Sequence, residues 1–123
     1  MDTVITVIQV LLILFLAVAG LGKLILPHAK LAAKAAWVND FKPEHLRLIS
    51  VLEVCAAVGL IVPLFLHSLT MLATLAAVGT ALVMAGAMAT HLRRAEYWNM
   101  AGNLMWLGLA LFVAYGRLVE FAV

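Results

Sequence analysis

The sequence is poor in everything that a water-facing surface or a cross-linked scaffold requires. Charged side chains make up 11% of its 123 residues, where a soluble domain carries about 25%. A lone cysteine, Cys55, excludes an internal disulfide and any CxxC thiol relay carried by this chain alone. The histidines His28, His45, His67 and His91 show no paired ligand spacing, so a metal centre is not expected. No glycine-rich phosphate loop and no nucleophile elbow is present. Within these residues there is no room for a soluble catalytic or nucleotide-binding domain beside what the apolar runs occupy.

Those runs are what the sequence does have. Apolar residues reach 67% and the mean hydropathy is +1.16. One crossing of a hydrocarbon core of about 30 Å takes about 20 helical residues. Four stretches suffice: Val4 to Leu26, Leu48 to Leu66, Leu69 to Leu92 and Met100 to Leu118. In lipid every backbone polar group must be paired inside its own segment, and runs this long are helices rather than barrel strands. The expected fold is an all-α integral membrane protein, a four-transmembrane-helix bundle forming one domain over residues 1–123. Asp2 and the absence of Lys or Arg before Lys23 deny the first stretch the basic region of a signal peptide, so it counts as a span.

Charge then orients the bundle. Lys23, Lys30, Lys34, Lys42, Arg47, Arg93 and Arg94 fall on one side of a four-span topology, and Arg117 alone falls on the other. This asymmetry predicts cytoplasmic basic loops and both termini outside. It also assigns the net charge of +2 to topology and anionic lipid rather than to nucleic acid.

The connections differ in kind. His67 and Ser68 make a tight outer turn, with Pro63 loosening the end of the second helix and Ser68 placed to cap the third. Between Pro27 and His45, Lys30 and Lys34 lie one turn apart, with Trp37 as an anchor, which predicts a short interfacial helix ending before Pro43. A solvated basic loop is the alternative. In the third span Ala73, Ala77, Ala81, Ala85 and Ala89 form a ridge of small residues suited to close helix contact, within the bundle or in a homodimer. The methionines read as core filler.

The informative residues are polar ones inside the spans, where an ionised group costs about 2.5 to 3.5 kcal/mol on insertion scales. Lys23 ends the first helix on the face of Gln9, Ile13, Leu16 and Gly20. Glu53 lies early in the second, and His91 closes the third beneath Thr80 and Met84. Asn99 and Asn103 open the fourth, stacked at i and i+4, with Trp106 continuing the stripe. Alternation of the spans puts Lys23, Glu53, His91, Asn99, Asn103 and Trp106 at one end of the bundle, with Lys23 the natural partner of Glu53. Three readings stay open: a structural ion pair, a pocket for a polar head group, and proton- or electron-linked chemistry. Arg93, Arg94, Glu96, Tyr97 and Trp98 read as an interfacial anchor.

The segments AGLGKL (Ala19 to Leu24), LEVCAAVGLIVPL (Leu52 to Leu64), HLRR (His91 to Arg94) and AYGRL (Ala114 to Leu118) resemble, in order and spacing, the short DoxX-like membrane proteins of bacteria. The resemblance spans nearly the whole chain and implies a four-helix bundle in a bacterial inner membrane. The wider group includes subunits linked to quinone or thiosulfate oxidation and to membrane redox-stress complexes. A more distant similarity is to the animal acetylcholine-receptor chaperone family, which assembles partner membrane proteins. Lys23, Glu53 and His91 match the polar pattern, but the group's functions are not uniform, so no reaction comes with them.

The leading expectation is a non-catalytic protein that binds a lipid, a quinone or another amphiphile head group, or a partner membrane protein, at this polar end. No resident cofactor and no catalytic residue is expected. An accessory subunit of a quinone-linked oxidoreductase and an assembly factor are the alternatives.

Overall fold

The computed structural model describes residues 2–122 and contains no strand among them. Five α-helices follow one another: α1 (Asp2–Ile25), α2 (His28–Lys34), α3 (Pro43–Phe65), α4 (Thr70–Arg93) and α5 (Tyr97–Ala122). All but α2 are long and apolar enough to cross a membrane. α3 starts five residues before its apolar run because Pro43 sits in its first turn, where a missing N–H costs nothing and the fixed φ already suits a helix. α5 extends past its apolar run at both ends, since hydropathy ends a span where polarity begins and the helix does not.

The spans pack as a ring, α1 on α3 and α5, and α4 on α3 and α5. Leu12, Leu16, Leu60, Ala77 and Val113, all fully buried, form the centre. Only 28 to 33% of each span is buried, so residues such as Val18 and Phe65 face outward, where acyl chains are the matching solvent.

Several expectations are corrected here. The interfacial element is two pieces, since Ala35 leaves helical geometry after α2 and a 3-10 turn follows over Ala36–Asp40. Ser68 does not cap α4. It lies in a second 3-10 turn, His67–Leu69, Leu69 takes the cap position with no side-chain bond, and the Thr70 hydroxyl donates to the His67 carbonyl at 2.7 Å. Pro63 lies buried in the last turn of α3, near the helix end where the sequence placed its loosening effect. Lacking an N–H, it deprives the Gly59 carbonyl of its usual partner, and one carbonyl further on the Gln9 amide donates to Leu60 at 2.6 Å. The alanine ridge is buried at Ala73, Ala77 and Ala81 but open at Ala85 and Ala89, so close packing covers only its first part.

The turn from α4 to α5 matters for the site. Ala95 adopts φ 57°, the left-handed region usually left to glycine. The Glu96 N–H reaches back to the His91 carbonyl and the Ala95 N–H to Leu92, a Schellman pattern that folds Glu96 over the end of α4.

Candidate functional site

Gly20 sets up the site. A Cβ there would stand 2.9 Å from Val54 Cγ2 and 3.2 Å from Glu53 Cβ, so only glycine lets α1 and α3 approach this closely. One turn on, Lys23 meets Glu53, with Nζ 2.5 Å from Oε1. Glu53 is 2% exposed and the Lys23 side chain 17%. At that depth each charge is tolerable only with the other beside it.

The pair forms one wall of a cavity of about 580 Å³ reached by all four spans and by the connection after α2. Gly86, Ala87 and Ala89 of α4 carry side chains too small to fill this space, and they line its apolar side. Phe15 closes another side, stacked on Trp106 with ring centres 4.2 Å apart. Trp37 and Phe41 roof the polar end, edge to face at 6.0 Å. Trp37 is therefore not the outward anchor that its position suggested. Its ring lies 5.7 Å from Lys23 Nζ and 5.9 Å from the His91 ring, near enough for cation–π attraction to the ammonium.

His91 lines the same cavity, 7% exposed. Its Nδ1 lies 2.7 Å from Glu96 Oε1. Hydrogen bonding from His91 comes first, and the nearby Arg94 charge adds to it, in holding the Glu96 carboxyl below its ordinary 4.5. An ionised carboxylate can only accept, so Nδ1 carries the proton and Nε2 is the ring's remaining polar atom. Arg94 also grips Asp40 at 2.9 Å, which ties the roofing turn to the end of α4. The sequence HLRR thus supplies a cavity wall and a latch, where an interfacial anchor was expected. Tyr97 and Trp98, 66% and 91% exposed, keep the anchor geometry.

Of the remaining expected residues, Asn103 lines the cavity, while Trp106 stands behind Phe15 and braces it. Asn99 is exposed in the first turn of α5 and lies outside the cavity lining. Cys55 is exposed on α3, two positions from Glu53 and on another face. No group of three or more His, Cys, Asp or Glu among the described residues could hold a metal ion.

A second polar cluster, at the other end, went unrecognised in the sequence. Arg117, 7% exposed, donates from Nε to Gln9 at 2.7 Å, from Nη1 to Asp2 at 2.9 Å and Glu120 at 2.6 Å, and from Nη2 to Thr6 at 2.9 Å. With four contacts accounted for, it works as a clamp joining α1 to α5 beside a separate cavity of about 440 Å³. Gly116 permits the approach, since a Cβ there would fall 2.5 Å from Ile5 Cδ1. The signal was present in the i, i+3 pair Arg117 and Glu120 and in Gln9. Gln9 shares a face with Lys23 but lies 14 residues away, about 21 Å along the helix.

The fold and site together define a membrane-spanning four-helix bundle with an ion pair buried beneath an aromatic roof. The model of the DoxX-like family matches residues 7–113, and the chain belongs to that family. No curated protein and no solved structure matches it.

Proposed function

We propose that the protein binds an amphiphile, a lipid or quinone, with its head group at Lys23, Glu53, His91 and Asn103 and its tail along the small residues of α4. The observation that carries this reading is the form of the cavity: about 580 Å³, inside the range of about 300 to 1,000 Å³ usual for small-molecule sites, apolar along one side and polar at one end. Such a division matches a molecule with a tail and a head. Glu53 supplies an acceptor, Lys23 and the Asn103 amide supply donors, and Trp37 and Phe41 offer faces to a ring. The role is binding or accessory rather than catalytic. The membrane is proposed to be a bacterial inner membrane with the site on its cytoplasmic side, as the distribution of Lys and Arg suggests.

The test uses the full chain in mild detergent. Titration with a short-chain benzoquinone and with a mono-acyl lipid should change the fluorescence of Trp37, and a Trp37→Phe variant should lose that change. Asn103→Leu should weaken binding by about 1 to 3 kcal/mol through loss of a polar contact, with an unaltered melting temperature. Absence of any saturable response to either probe would overturn the reading. Recovery of a stoichiometric partner polypeptide in place of an amphiphile would favour a subunit or assembly role instead.

A further inference from the structure

The polar end of the cavity beside Lys23 and Glu53 has more hydrogen-bonding capacity than the chain itself uses. Lys23 takes Oε1 of Glu53, and no described residue donates to Oε2, although the side chain is 2% exposed. His91, 7% exposed, spends Nδ1 on Glu96 and leaves Nε2 without a partner. All of these side chains line the cavity, together with the Asn103 amide. Among the described residues, the side-chain atoms both unpaired and sealed from solvent are His28 Nδ1 and Arg94 Nε. Glu53 Oε2 and His91 Nε2 are therefore open, and on side chains so deeply buried the opening is the cavity. Acceptors left unpaired at that depth cost free energy until a donor reaches them.

The same groups decide which donor. A cation at Oε2 would stand beside the Lys23 ammonium, which lies 2.5 Å from the other carboxylate oxygen. An anion at that ammonium would stand beside the carboxylate. Away from bulk water such like-charge contacts are poorly screened, so the pair favours an uncharged head over an ion of either sign. Arg93 is the further charge on the lining, and it is exposed, where water and salt screen it. With the proton on Nδ1, Nε2 of the neutral imidazole is an acceptor as well. A carbonyl or ether oxygen uses the donors of Lys23 and Asn103 but leaves Oε2 and Nε2 unpaired. A hydroxyl answers both needs, since it donates and accepts. The Trp37 ring, 5.7 Å from Lys23 Nζ and 5.9 Å from the His91 ring, shows that these groups surround one place.

We propose that the cavity selects an amphiphile whose head is uncharged and carries a free hydroxyl, which donates to Glu53 Oε2 and accepts from the Lys23 ammonium. His91 Nε2 is the acceptor for a second hydroxyl. This selectivity rests on the amphiphile reading above and narrows it to one class of head. The hydroxyl comes either from a phenolic ring or from an acylglycerol. A quinone in its oxidised form, which only accepts, is held more weakly than the matching phenol, and so is a lipid with an ionised head.

Titration of the full chain in mild detergent with para-octylphenol and with its methyl ether, followed by tryptophan fluorescence, tests this. The two probes share ring and tail and differ in the donor. Wild type should prefer the phenol by about tenfold, the scale of one hydrogen bond to a charged acceptor. In Glu53→Gln the amide keeps an acceptor for Lys23 and turns its NH2 to the cavity, so the preference should shrink to about threefold or less. Partition into the micelle is common to both proteins, and a change in the ratio therefore belongs to the site. A monoacylglycerol should compete with the phenol, and the tighter of the two names the source of the hydroxyl. A fatty acid anion and an alkylamine of equal chain length should compete about tenfold less well. Equal binding of phenol and ether by wild type, or tightest competition by either ionic amphiphile, would overturn the hydroxyl selectivity and leave the amphiphile reading standing. A wild-type ratio in folded Glu53→Gln would overturn the contact with Glu53. Absence of a saturable response to every probe would overturn both readings together.

Discussion

A carboxylate 2% exposed inside a membrane bundle has Lys23 as its one hydrogen-bonded partner, and this makes Glu53 sensitive to the loss of either side chain. Glu53→Ala strands the Lys23 ammonium and should cost about 3 to 5 kcal/mol, whereas replacing the pair together, Glu53→Leu with Lys23→Met, should be much milder. Denaturation midpoints in detergent measure both, and equal losses for single and double variants would contradict the pairing. Glu96 behaves differently because it lies outside the spans. Its carboxyl is held below 4.5 by the His91 hydrogen bond and the Arg94 charge. A folded value below the unfolded one means that the contact stabilises fully above about pH 4.5 and that its contribution disappears as pH falls through the depressed folded value. Melting curves from pH 7 downward should therefore show wild type losing stability under about pH 4.5 more steeply than Glu96→Gln, which has no proton to take up there. Parallel curves would show that the Glu96 contact with His91 adds nothing to stability.

Among the elements, the contact of α1 with α3 decides where the site forms. Gly20→Ala would put a methyl 3.1 Å from the Ser50 carbonyl oxygen and 2.9 Å from Val54, and backbone cannot yield as a side-chain tip can. The helices must separate, at a cost of about 1 to 3 kcal/mol, and the Lys23 to Glu53 distance should grow with them. A melting temperature equal to that of wild type would contradict so close an approach. This contact also shows what the sequence discloses and what it hides. The spans were legible because a run of about 20 apolar residues has few structural outcomes. The meeting of Lys23 and Glu53 was legible because alternating spans return the end of one helix to the start of the next. Direction around a helix axis was harder to read. Asn99 and Asn103 share a stripe, but Asn99 falls in the first turn of α5, beyond the packed region, and stays exposed. Trp37 was misread because amphipathic pattern cannot register that the chain breaks at Ala35 and turns the indole inward. Arg117 was counted as one charge in a topology, when its value lies in partners more than a hundred residues away.

At the scale of the whole molecule, a dry middle layer of Leu12, Leu16, Leu60 and Val113 separates two polar ends of unlike character. The Arg117 end is engaged internally, three hydrogen bonds locking the start of α1 to the end of α5 and a fourth staying within α5 at Glu120. The Lys23 end is a lined cavity under a latched roof, with cations left over on the strap outside it. A bundle so polarised should insert one way, because a cluster of Lys and Arg in a short connection resists translocation while a single buried arginine does not. Placing the only thiol at Lys34→Cys, in a Cys55→Ala background, should give a protein that a membrane-impermeant maleimide labels after the cells are opened and not before. The reciprocal variant, a thiol at Ser68→Cys in the turn between α3 and α4, should label in intact cells. Labelling of the Lys34 position from outside would reverse the orientation. It would place the cavity beside Lys23 and Glu53 on the opposite face of the membrane while leaving its geometry untouched, since that geometry does not depend on which side the strap faces.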